Sequence, residues 1–137
     1  MKSKLSIETA TQLAVFLSNR PGALARVCEA LAKAGINVHA LTISDTVDHS
    51  VVRMVVSDPT KALMLFGESG VLALENDVLM IESDNAPGML AQIAERLAKA
   101  EVNIEYAYMA ATMKSDRGLM ILRTSDVDKA HGALRDL

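Results

Sequence analysis

Apolar and polar positions follow the same succession twice along the chain. Residues 13–18 are nearly continuous apolar, as in a strand buried on at least one face. After Asn19-Arg20-Pro21-Gly22, the residues Leu24, Val27, Leu31 and Ala34 recur at helical spacing, with Arg26, Glu29 and Lys33 between them. That pattern predicts an amphipathic helix over residues 21–34, closed by Gly35 as a C-cap residue. Residues 36–46 and 50–57 are β-rich runs around a polar turn and read as a hairpin. Asp58-Pro59 supplies an N-cap and a first-turn proline for a second helix to about Glu68, and residues 71–75 supply a further strand.

From Val78 the succession begins again: a strand over 78–83, a helix over 87–100 with Leu90, Ile93 and Leu97 inward, a strand over 102–112, another over 118–124, and a helix from about Val127. Asn19, Pro21, Gly22 and Leu24 return 66 positions later as Asn85, Pro87, Gly88 and Leu90, and residues 13–46 align with 79–112 without a gap. The spacing widens to 68 where Ser57-Asp58 meets Ser125-Asp126, so two residues are gained around 114–118. Strand, helix, strand, strand, helix, strand is the ferredoxin-like plan of an α+β protein: an antiparallel sheet with both helices on one face. The expected modules are residues 11–76 and 77–137. The second has no C-terminal strand of its own. The 66-residue spacing maps 71–75 onto 5–9, which alternate apolar and polar, so residues 5–9 are expected to complete the second sheet and cover its edge.

The repeated turn carries the candidate chemistry. Proline is tolerated in the first turn of a helix, so Pro21 and Pro87 are read as helix starts. Glycine permits close approach, and a helix N-terminus offers unpaired N–H groups and a partial positive charge. The amides of Gly22, Ala23 and Leu24, or of Gly88, Met89 and Leu90, can therefore receive a carboxylate. The side-chain oxygens of Asn19 and Asn37, or Asn85 and Asn103, can accept hydrogen bonds from an ammonium group. Asparagine at a turn also bonds its own backbone. Asn37 and Asn103 stand at the start of second strands, where asparagine is depleted, or else close the helix-to-strand connection. Arg20 aligns with Ala86 and Asp45 with Ala111; either charge favours the first copy as a site or is a solvated surface charge.

Composition narrows the classes. A 137-residue chain that is half apolar can form packed cores, but each repeat is near the lower size limit of a stable domain. The formal net charge of −3 gives no electrostatic reason to expect nucleic acid or an anionic membrane as partner. The stacking aromatics of an RNA binder are missing from residues 50–57 and 118–124. No apolar run reaches the roughly 18 residues of a membrane span. The first ten residues hold two lysines and no continuous hydrophobic stretch, so no signal peptide is expected. A single cysteine suits a reducing cytoplasm. Cys28 reads as core, as do the eight methionines; His39, His49 and His131 have no second ligand at metal spacing; Tyr106 and Tyr108 share one strand face. Nothing suggests a catalytic triad, a Walker-type phosphate loop, a paired-carboxylate acid and base, or a cofactor.

A βαββαβ module with Asn-Xaa-Pro-Gly-Xaa-Leu after strand one, and Gly-Ile-Asn-Val or its like opening strand two, resembles the ACT domain. Two in tandem resemble the small stand-alone tandem ACT-domain proteins of bacteria. The resemblance rests on Asn19, Pro21, Gly22, Leu24, Gly35, Ile36, Asn37 and Val38, and on Asn85, Pro87, Gly88, Leu90, Val102, Asn103 and Ile104. It implies a regulatory protein that binds a small ligand, usually an amino acid, where two modules pack with their sheets side by side. The ligand is then held between the strand-one turn of one module and strand two of the other. The implied ligand-binding positions are Asn19, Arg20, Pro21, Gly22, Ala23, Leu24, Asn37 and Val38, with Asn85, Ala86, Pro87, Gly88, Met89, Leu90, Asn103 and Ile104 in the second copy. Glu101, where the first copy has Gly35, departs from the pattern. The alternative is a protein–protein interaction module whose pocket is vestigial. Apolar surface on two small domains points to a homodimer, and a regulatory role to a partner enzyme.

Overall fold

A computed structural model describes residues 5–45, 49–84 and 86–137. The elements are β1 (Ser6–Ser18), α1 (Ala23–Lys33), β2 (Val38–Asp45), β3 (His49–Val56), α2 (Pro59–Glu68), β4 (Ala73–Asp84), α3 (Met89–Lys99), β5 (Ile104–Ala111), β6 (Arg117–Thr124) and α4 (Val127–Leu134). The chain divides into two compact units: Thr11–Asn76, the first module, and residues 5–10 with Asp77–Leu137, the second.

In the first module the strands lie in the order β2-β3-β1-β4. β1 and β3 are antiparallel with Leu17 opposite Ser50, and β2 and β3 with Ile43 opposite Val52. The Phe16 N–H donates to the Leu72 carbonyl at 3.0 Å, tying the start of β4 to β1. Alternate strand residues Leu13, Val15, Leu17, Val52, Met54 and Val56 point to one side, where Val27 and Leu31 of α1 and Ala62 and Phe66 of α2 complete the core. Full burial of each large side chain there is worth about 1.5–3 kcal/mol. The second module repeats the plan as β1-β4-β6-β5. Leu79, Ile81, Met120 and Leu122 meet Ile93 and Leu97 of α3 and Ala130 and Leu134 of α4, and Leu5 and Ile7 pack against this second core. The result is the expected α+β, ferredoxin-like arrangement with both helices on one face of an antiparallel sheet.

Five local readings differ from the sequence expectation. The strands expected over 5–9 and 13–18 are one 13-residue strand, and those over 71–75 and 78–83 are one 12-residue strand. Their polar middles remain extended: Thr9 and Thr11 are β-branched, and Gln12, fully buried, donates from Nε2 to Asn76 Oδ1 at 3.0 Å. Pro21 and Pro87 precede their helices by two residues instead of opening them. Leu90, expected inward, is half exposed, because α3 buries only Ile93 and Leu97. Cys28 is exposed for the same reason, since α1 turns Val27 and Leu31 to the core. Met54 and Met120 are core residues, whereas Met64, Met109 and Met113 are exposed.

The helix ends follow from short-range chemistry. Asp58 and Asp126 cap α2 and α4 by accepting from the N–H groups of Lys61 and Lys129, each at 3.1 Å. After α1, the Ile36 N–H reaches back to the Leu31 carbonyl at 2.9 Å across Gly35, whose φ is 73°. This is a Schellman ending, which needs a left-handed residue at its centre. α3 ends identically, Val102 to Leu97 at 2.9 Å, but the central residue is Glu101 with φ 59°. Near the chain end Arg96 donates to Asp136 Oδ1 at 2.7 Å and to the Ala133 carbonyl at 3.4 Å. The Arg96 hydrogen bond, with its charge behind it, holds the Asp136 carboxyl below its ordinary range. Since that pKa is depressed on folding, the contact supports the fold at neutral pH and fades as acid protonates the carboxylate.

Two substitutions test this description. A left-handed non-glycine residue costs about 1–2 kcal/mol, partly offset by the greater chain entropy of glycine, so Glu101→Gly should raise unfolding stability by about 0.5–1 kcal/mol in urea denaturation. A loss of stability would show that Glu101 is not strained. Thr124 is buried with a hydroxyl that has no hydrogen-bond partner among the described residues, and Val56 occupies the equivalent position in the first module. Thr124→Val should therefore stabilise by about 1 kcal/mol, and a destabilised variant would reveal a partner for that oxygen.

Candidate ligand site

The Pro-Gly pair makes a turn between strand and helix. Gly22 has φ 88° and ψ −14°, and the Ala23 N–H points to the Arg20 carbonyl at 3.4 Å. Those angles suit the third position of a type II turn, with proline at the second, where its fixed φ fits. Gly88, at φ 91° and ψ −10°, with Met89 N–H to the Ala86 carbonyl at 3.3 Å, repeats the geometry. The turn thus occupies one of the three amides read from sequence as a carboxylate seat, that of Ala23 or Met89. Among the described residues no side chain caps either helix, and the next first-turn amide, that of Leu24 or Leu90, has no intrahelical acceptor.

Each turn borders a pocket at the end of its own sheet. In the first module, a space of about 200 Å³ is lined by Leu17, Ser18, Asn19, Arg20, Ala23, Leu24, Ile43, Ser50 and Val52. The second has one of about 90 Å³ lined by Ser83, Asp84, Ala86, Gly88, Met89, Leu90, Met109, Gly118, Leu119 and Met120. The two are counterparts in register: Leu17 faces Ser50 as Ser83 faces Gly118, and Ile43 faces Val52 as Met109 faces Met120. Ile43 and Met109 are even exposed alike, at 46% and 49%.

Of the residues predicted from sequence, Asn19, Arg20, Ala23 and Leu24 line the first pocket, and Ala86, Gly88, Met89 and Leu90 the second. Pro21, Gly22 and Pro87 belong to the bordering turns, all exposed. Asn85 lies outside the described residues. Asn37, Val38, Asn103 and Ile104 stand at the opposite end of their sheets. Val38 pairs with Val56, six residues along β3 from Ser50, which is about 20 Å at strand rise. There the Asn37 N–H donates to Ser57 Oγ at 3.0 Å and the Ser57 N–H returns to the Asn37 carbonyl at 2.9 Å. Asn103 and Ser125 make the same clasp, each bond at 3.0 Å. These bonds use the asparagine main chain and close the helix-to-strand connection; both side chains are on exposed residues.

Sequence reasoning did not name Leu17, Ser18, Ile43, Ser50 and Val52, nor their counterparts on β4, β5 and β6. The repeat alignment held the signal: Leu17, Ser18 and Ile43 lie 66 positions before their counterparts, as the turn residues do, and Ser50 and Val52 lie 68 before theirs, past the two-residue gain. Electrostatically the pockets differ. The first has Arg20 and the hydroxyls of Ser18 and Ser50 around an apolar floor. The second has Asp84, whose carboxylate accepts from Arg117 at 2.9 Å, and more apolar bulk from Met89, Met109 and Met120.

The sequence matches the family described as an ACT domain pair over residues 8–135. Among solved structures, a protein from Bacteroides thetaiotaomicron is 35% identical over 95% of this chain and 89% of its own, with a TM-score of 0.88. The ligand-free regulatory subunit of aspartate kinase from Thermus thermophilus is 22% identical over 97% of this chain and 92% of its own, with a TM-score of 0.69. That from Thermus flavus is 21% identical over 99% and 96%, with a TM-score of 0.64. At that identity the two subunits establish likeness of fold. No curated protein matches the chain by sequence. With the family match spanning nearly the whole length, and the turn, sheet order and helix placement repeated in both halves, the chain belongs to the family of ACT domain pairs.

Proposed function

We propose that the protein is a regulatory sensor that binds an amino acid and transmits its presence to a separate enzyme, performing no chemistry itself. The observation that carries this reading is the pair of register-equivalent pockets, each beside an uncapped helix N-terminus. Both are smaller than the roughly 300 Å³ at which drug-sized sites begin, which suits a ligand of a few heavy atoms. In the first, the Leu24 amide and the Arg20 guanidinium receive the carboxylate, and the oxygens of Asn19, Ser18 and Ser50 accept from the ammonium. Leu17, Leu24, Ile43 and Val52 take an apolar side chain. In the second, Asp84 favours the ammonium end and the helix N-terminus the carboxylate.

The modules of this sensor are residues 11–76 and 77–137, with residues 5–9 providing the fourth strand of the second; the packing of Leu5 and Ile7 on that core supports the assignment. Strand β2 has a strand neighbour on one side only among the described residues and exposes Val38, Leu41 and Ile43. An open apolar edge of this kind favours a homodimer, through which Asn37, Val38, Asn103 and Ile104 of one copy reach the turn of another. The regulatory subunits of aspartate kinase among the structural neighbours make a cytoplasmic metabolic enzyme the natural recipient of the signal.

Thermal unfolding against each of the twenty amino acids tests the reading. A ligand at 100 times its dissociation constant should add about 2.7 kcal/mol of stability. Arg20→Ala should weaken the first pocket's share of that binding about tenfold or more, the worth of a charge-assisted hydrogen bond. A melting point indifferent to all twenty would favour the interaction-module alternative.

A further inference from the structure

A cleft roomier than the pocket above is also present. It lies in the first module on the other flank of Arg20, encloses about 600 Å³, and runs from the end of β1 past α1 to the segment Gly70–Leu72 that leads into β4. Phe16, Val27 and Leu72 supply an apolar wall, and Arg20, Arg26 and His49 supply the charged or chargeable side chains. Among the described residues, no acidic residue lines it and neither Arg20 nor Arg26 makes an ion pair.

The second module shows what the same backbone looks like with its charge cancelled. Ala86 and Gln92 stand where the first module has Arg20 and Arg26, and Glu82 and Asp84 where it has Phe16 and Ser18. Arg117 lies opposite Asp84 in register as His49 lies opposite Ser18, and it is held by Asp84 at 2.9 Å and Glu82 at 4.0 Å. One repeat neutralises its cation with two carboxylates; the other gathers cations with no carboxylate among the described residues of the cleft. Concentrated positive charge over low-dielectric walls raises the local concentration of anions, and a guanidinium fork matches the planar or tetrahedral oxygens of carboxylate and phosphate.

We propose that this cleft is a second ligand site, present in the first module only, for a small organic anion carrying two charges, a phosphate monoester or a dicarboxylate. Its acidic group sits between Arg20 and Arg26, and its organic body lies against Phe16 and Leu72. The proposal shares Arg20 with the amino-acid reading and is separable from it at Arg26, which does not line the smaller pocket. Calorimetric titration of the intact protein at fixed ionic strength, with adenosine monophosphate, inorganic phosphate and glutarate as separate probes, tests it. Saturable binding of an organic dianion below about 1 mM is expected, with inorganic phosphate weaker for want of the apolar contact; the stronger of the other two probes identifies the anion class. Arg26→Gln, which installs the residue of the second module, should weaken that binding at least about tenfold, and Arg26→Lys, which keeps the charge but loses the fork, by less. Heat from none of the three probes, or equal affinity in wild type and Arg26→Gln, overturns the proposal. Amino-acid thermal shifts measured on the same Arg26→Gln protein should be unchanged, which separates failure of this site from failure of the sensor reading and shows that the variant is folded.

Discussion

A left-handed glycine directly behind a proline governs the geometry around both pockets. At φ near 90° the chain reverses from a strand end into a helix within four residues, and an L side chain there is strained although no neighbouring atom obstructs a Cβ. The reversal brings the first helical turn to the edge of the sheet, with Leu24 and Leu17 lining one pocket in one module and Leu90 and Ser83 the other. Because the turn is held by backbone dihedrals and one main-chain hydrogen bond, it makes few demands on the surrounding side chains. Two modules can therefore share a pocket shape while differing in its chemistry.

The same separation of backbone from side chain recurs at the helix ends and along β1. Glu101 takes a left-handed conformation because the Schellman bond from Val102 to Leu97 and the burial of both side chains over-determine it. At Gln12 the dependence is reversed. Its amide is fully buried and bonded to Asn76, and a one-residue slip between β1 and β4 would leave two amides unpaired at about 1–3 kcal/mol each. A polar pair in an apolar sheet thus adds to the register preference that the buried face already imposes on strands of 13 and 12 residues.

What could be read from sequence was whatever depends on neighbours a few residues away. The inward faces at Val27 and Leu31, the Asp58 and Asp126 positions before helices, and the duplicated Pro-Gly turns all rest on local periodicity or local bonding. The pocket walls opposite the turn were not legible. Ile43 reaches the site only because β2 pairs with β3 in the register that sets it against Val52, and that register is a long-range property. The long strands were missed for a related reason: a polar segment such as 9–12 looks like a loop unless its pairing partner is known. Proline was misread because its fixed φ serves the second position of a type II turn as well as the first turn of a helix, and only the positive φ of the following glycine tells them apart. The half-exposed Leu90 shows how an amphipathic face narrows at a helix start, where the first residue overhangs the pocket instead of the core.

Duplication of a backbone does not duplicate a binding curve. A carboxylate entering the first pocket finds Arg20; in the second it finds alanine at that position and Asp84 nearby, partly neutralised by Arg117. Two unit charges about 4 Å apart interact by roughly 1 kcal/mol in water and about 4 kcal/mol at the effective dielectric of a protein surface, so the loss of one cation alone spans about one to three orders of magnitude in affinity. Methionines at 89, 109 and 120 reduce the space as well, from about 200 to about 90 Å³. For the proposed sensor, a single metabolite would fill the two pockets at well-separated concentrations, or each pocket would select a different one. In either case the charge pattern around the turn, more than the turn itself, would set which ligand that sensor answers to.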